Sequence, residues 1–241
     1  ITTAAIKGLS SDALAVLDSA QFNVLSTAQF AMLNSAQAGA ITSVQTATMT
    51  TSDLAALSTA AIAALTTDAL SALNSSQLPN LTTAQVKGLT TDQISNLDSS
   101  DLNALSTAQF AVITSDQAAA LTSAQTGFMT TDDISSLSAS AVKALSTDAI
   151  AAFNSAQLAG LTTAQVVALT TDQVGNLTTA DLNALTTAQI AVLTSSQIAV
   201  ITTAQADAMA TDDLAAITTA AIKGLSSDAL AVLDSAQFNV L

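Results

Sequence analysis

Leu161-Thr-Thr-Ala-Gln-Val-Val-Ala168 runs straight into Leu169-Thr-Thr-Asp-Gln-Val-Gly-Asn176. The same eight-residue frame, written a to h with Ile1 at a, extends in both directions without an insertion as far as Leu241. Position a is always large and apolar, mostly Leu, with Ile41, Met49, Ile113, Met129, Phe153, Ile201, Met209 and Ile217 among the others. Position b is Thr, Ser, Asn or Asp everywhere except Ala210, and c is Thr or Ser except Ala139. Position e is Gln, Asp or Ala; f is Ile, Leu, Val or Phe, with Ala38, Thr46, Ala118, Thr126 and Ala206 as small exceptions. A fixed short period is the mark of a repeat architecture, in which each unit buries its apolar face only by stacking on its neighbours.

Three conformations compete for this octad. In one continuous α-helix, eight residues advance about 800°, so the Leu stripe would rotate off any fixed face. A triangular β-solenoid suits Thr, Ile and Val, but a and f have opposite parity and cannot face one side of a strand. A chain of short helices meets neither objection. Position b carries the residues that cap a helix N-terminus, and Gln or Asp three positions on completes a capping box. The a residue before the cap and the f residue after it form the pair of a hydrophobic staple.

Charge placement points to the same helix start. Of the 18 Asp, 17 lie at b, d or e, in the cap and first turn, where the helix dipole favours anions. All four Lys (Lys7, Lys87, Lys143, Lys223) lie at g, in the last turn, where it favours cations. The pattern therefore predicts an all-α solenoid of very short, roughly two-turn helices, one per octad, each running from c to about the next a. Such helices are far below the ~12–15 residues that stand alone in water, so stacking must supply their stability. The alternative is the triangular β-solenoid.

A longer period lies over the octad. The octads at Met49, Met129 and Met209 correspond, 80 residues apart, and Ile1–Leu25 recurs unchanged as Ile217–Leu241. The first block is three octads short of the others, a loss tolerated if it removes close to one superhelical turn. Ten octads as three turns give about 3.3 octads per turn, so three to four are expected. The interior would be filled by a and f side chains, including Phe22, Phe30, Phe110, Phe153 and Phe238, with Phe128 at h exposed. Ala118, Thr126 and Met129 recur together, which marks a narrowing of the core or the approach of a neighbour. Pro79 at g breaks the local rule. The organisation expected is one continuous array over residues 1–241, 30 octads plus Leu241, as a fragment of a longer chain that would continue Ser-Thr-Ala-Gln-Phe.

Composition bounds the chemistry. The chain has no His, Cys, Trp, Tyr, Arg or Glu, and a net charge of −14. With four scattered Lys it has no basic footprint for nucleic acid and no attraction to an anionic membrane. No apolar run approaches the ~20 residues that span a bilayer. Ser and Thr are plentiful, but no His stands ready to activate one, and no Gly-rich phosphate loop or zinc-ligand spacing is present. No enzyme, no cofactor and no small-molecule substrate is expected. The only ligand candidates are the Asp132-Asp133 and Asp212-Asp213 pairs, which offer calcium carboxylate oxygens but lack an Asp-x-Asp-x-Asp-Gly loop. As first-turn partners of the helix dipole they need no ion. The paired hydroxyls could suggest an ice-binding grid, but capping explains why b varies among Thr, Ser, Asn and Asp.

The Leu-Thr-Thr-Ala-Gln-Val and Leu-Thr-Thr-Asp-Gln-Val octads at Leu161 and Leu169 resemble the Ala/Thr/Gln-rich tandem repeats of very large bacterial secreted and surface proteins, of adhesin-like, haemagglutinin-like or surface-layer-like type. The resemblance implies an extracellular or cell-surface structural role, as a self-assembling filament, sheath or layer or as the monomeric stalk of an adhesin. It carries over no functional residues.

Overall fold

In the computed structural model, which describes residues 2–241, every octad carries one helix. Among the described residues there are 28 α-helices, two 3-10 turns and no strand. The octad Leu161–Ala168 shows why. Thr162 is extended (φ −70°, ψ 155°), and its hydroxyl accepts from the Gln165 amide while the Gln165 side chain accepts from the Thr162 amide. The helix Thr163–Ala168 follows, and Leu169 returns the backbone to an extended conformation (φ −54°, ψ 138°). Every α-helix starts at c with its cap at b, so the start site is as the capping pattern predicts.

Their length is not. The α-helices span four to six residues, short of two turns. The a residue must be extended to feed the next cap, and its amide bonds back only three residues, as Leu57 N–H does to the Leu54 carbonyl at 3.2 Å. That tight bond closes the helix early.

Two octads form 3-10 turns instead. At Leu78–Asn80 the cause is Pro79, which has no amide to donate and whose ring would meet the carbonyl four residues back in an α-helix. Its side chain stays exposed, and the turn closes through Asn80 N–H to Gln77 O at 2.9 Å. At Ile222–Gly224 the residues repeat those of Ile1–Gly8, where Thr3–Ile6 is α-helical, so the difference comes from packing.

The array divides into two compact units, Ile1–Ala120 and Leu121–Leu241, with the division between positions h and a. Within each unit a helix packs on the helix three octads further on. In the first, Ser35–Ala38 meets Thr59–Ala64 and Ser43–Thr48 meets Thr67–Ser71; in the second, Ala139–Ala144 meets Thr163–Ala168 and Ser123–Phe128 meets Thr147–Ala151. Side-chain bonds between successive coils span 23 to 31 residues, so a coil closes between three and four octads. Because stacked helices lie three octads apart, loss of three octads brings equivalent helices into contact.

The a and f side chains form the core of each unit; Phe22, Phe30 and Phe110 are fully buried, and Phe22 and Phe30 meet edge to face at 5.1 Å. Thr46 and Thr126 mark the approach of a neighbour, their buried hydroxyls donating to the carbonyls of Ala69 (2.7 Å) and Ala149 (2.9 Å) on the next coil. Phe128 is exposed as expected, but Phe238, expected in the core, is 59% exposed. Phe22, its counterpart in the identical segment, is covered by the helix Ser43–Thr48 three octads on, and the sequence holds no octad in that relation to Phe238.

Candidate functional site

A helix of one and a half turns leaves most of its carbonyls without an intrahelical partner. Here those at f and a are buried, where an unmet carbonyl costs about 1–3 kcal/mol. The Gln at e of a later octad meets both. Gln93 Nε2 donates to Ile62 O at 2.9 Å and Leu65 O at 2.8 Å, while its Oε1 accepts from Thr90 N–H at 2.9 Å. With its side chain buried, one amide caps its own helix and closes the end of a helix four octads back. Seven Gln of the first unit donate to the preceding coil in this way. Seven of the second unit do the same.

This ladder is the principal polar feature of the interior, and the capping rule supplies only half of it. Every Gln in the chain stands at e and accepts from its own cap amide, as predicted. The donor half reaches 28 and 31 residues back, a distance no local rule addresses. The signal was the missing glutamate: Glu completes a capping box as readily as Gln, and only the amide can donate. A chain that uses Gln seventeen times and Glu never at such a position needs the donor.

Asp at e keeps the box but not the ladder. Asp53 accepts from the hydroxyls of Thr50 (2.6 Å) and, on the preceding coil, Thr27 (2.8 Å). Asp133 and Asp181 accept from the hydroxyl and amide of Thr130 and Thr178. The two pairs singled out as calcium candidates are split by the fold. Asp133 and Asp213 are buried in the first helical turn, whereas Asp132 and Asp212 face solvent. Among the described residues, no three acidic or other metal-binding side chains gather into a metal-holding group.

Asp213 differs from its sisters because Ala210 stands where they have Thr. The helix Thr211–Ala216 has no side-chain cap, and the carboxylate loses its hydroxyl donor. Burial, and then the neighbouring Asp212 charge, push the Asp213 carboxyl above the usual Asp range. Asp101 is raised for the same two reasons, burial and then Asp98. Restoring the hydroxyl with Ala210→Thr is expected to stabilise the second unit by about 1 kcal/mol, read from its urea midpoint. It should also bring the Asp213 pKa down, measured by carboxyl NMR titration.

A raised native pKa means that the folded chain binds a proton before the unfolded chain does. This contribution to stability is present below the unfolded-state pKa and lost as pH rises through the native one. Wild-type protein should therefore gain more stability between pH 7 and pH 4 than Asp213→Asn does. Equal gains in parallel urea titrations would contradict the assignment.

Among the described residues no helix is long and apolar enough to cross a membrane. The chain matches the ALTTAQ repeat family seven times in tandem, over residues 47–83, 72–99, 94–131, 128–163, 150–179, 176–211 and 206–241. No curated protein matches it.

Proposed function

The chain belongs to the ALTTAQ repeat family, and from that premise we propose that it is a non-catalytic structural array that self-assembles into an extracellular filament, sheath or surface layer. The observation that carries the reading is the Gln ladder. The interior polar groups are committed to joining one coil to the next, and the same joint recurs along each unit at octad spacing. A recurrent joint makes a persistent scaffold, and its regular outer face returns equivalent side chains for contact with further copies. An extracellular setting follows from the likeness of the octads to those of large bacterial secreted and surface proteins, and the acidic surface would keep an Ala- and Leu-rich scaffold dispersed until it assembles. Electron microscopy of the purified chain should show fibres or sheets. A single slender monomer at every concentration in sedimentation velocity would instead identify a spacer or adhesin stalk.

A further inference from the structure

We propose that the coil face around Leu17, Gln21, Val24 and Leu25 docks, head to tail, on the coil face around Leu230, Leu233 and Phe238 of a second copy of this chain. The inference rests on the self-assembly reading and names the surface that would carry it.

The identical segments Ile1–Leu25 and Ile217–Leu241 show the same residues with and without a coil on each side. In the later segment Gln237 Nε2 donates to Met209 O and Asp207 O, both at 2.9 Å, on the coil before it. In the earlier one Gln21 keeps its cap bond, Asp18 N–H to Oε1 at 3.1 Å, but its Nε2 meets no acceptor. Beside it lies an open groove of about 320 Å³ lined by Leu17, Gln21, Val24, Leu25 and Gln29, with Val24 82% exposed. The opposite face has the reverse deficit. Phe238 is 59% exposed although the same residue at Phe22 is fully covered, and no Gln donates to the Leu233 carbonyl.

One face thus lacks acceptors and the other lacks donors, and each has apolar area that its twin covers with a coil of this same sequence. The register also fits. With residue 1 of one copy placed after residue 240 of another, Gln21 stands 28 residues beyond Leu233 and 31 beyond Leu230, the spacing of every rung in the ladder. Two different faces in contact form a heterologous interface, which propagates as an open filament.

The test uses the 241-residue chain and two exposed substitutions, one on each face. Wild-type protein should show concentration-dependent association by sedimentation velocity. Val24→Asp and Phe238→Asp, each folded by circular dichroism, should weaken that association about tenfold or more. Mixed together, the two variants should form a dimer and nothing longer, because each retains one usable face. Gln21→Glu, which keeps the capping box and removes the donor, should behave as Val24→Asp does. Filaments that form equally well in both single variants would overturn this surface while leaving self-assembly standing. A wild-type monomer at all concentrations would overturn both.

Discussion

Replacing Gln93 by glutamate is expected to destabilise the first unit by about 3–5 kcal/mol, the range for a buried charge left without a partner. The change alters one atom and keeps the capping box, since a carboxylate oxygen still accepts from Thr90 N–H. If Gln93 were only a cap residue, the variant would be neutral or slightly better, because the helix dipole favours an anion in the first turn. The ladder reverses that sign. The carboxylate would replace a donor lying between the Ile62 and Leu65 carbonyls, with little water to screen the repulsion. Urea denaturation gives the magnitude, and hydrogen exchange gives the location: amides of the helices Thr59–Ala64 and Thr91–Asn96 should lose protection together. A variant as stable as wild type would leave the Gln at e a local cap and remove the joint between coils.

Gly224→Ala should cost about 3 kcal/mol or more, at or beyond the upper end of overpacking penalties. A methyl group there would overlap the carbonyl oxygen of Ser195 on the preceding coil. Neither residue has a positive φ, so the need for glycine is one of space. Gly8 occupies the same place in an identical 25-residue stretch, and a methyl there would sit 3.4 Å from the Ala5 carbonyl oxygen, in ordinary contact. Gly8→Ala should therefore be neutral, or stabilising by about 0.4–1 kcal/mol through the unfolded chain. Equal effects at the two positions, measured by urea denaturation, would show that Ser195 does not constrain Gly224.

The two glycines separate what is legible locally from what is not. Helix starts could be read from the sequence because capping is settled within four residues, as at Thr162 and Gln165. The burial of a and f followed from the period, and the coil of three to four octads from the three-octad deletion. The helix ends could not be read, since Leu57 and its equivalents turn extended to serve the following cap. Phe238 was misread because burial belongs to the coil that covers a residue and not to its place in the octad. The calcium candidates looked like pairs because Asp132 and Asp133 are adjacent in sequence; successive residues of a helix point about 100° apart, which sends one inward and the other to solvent.

The octad alone determined that this chain is a stack of capped short helices, because a cap, its box and the dipole all act within one turn. Only the tertiary structure decided how the coils are joined. Whether a side-chain amide 28 residues away can reach a helix's orphan carbonyls depends on coil closure, and coil closure is a property of the whole stack.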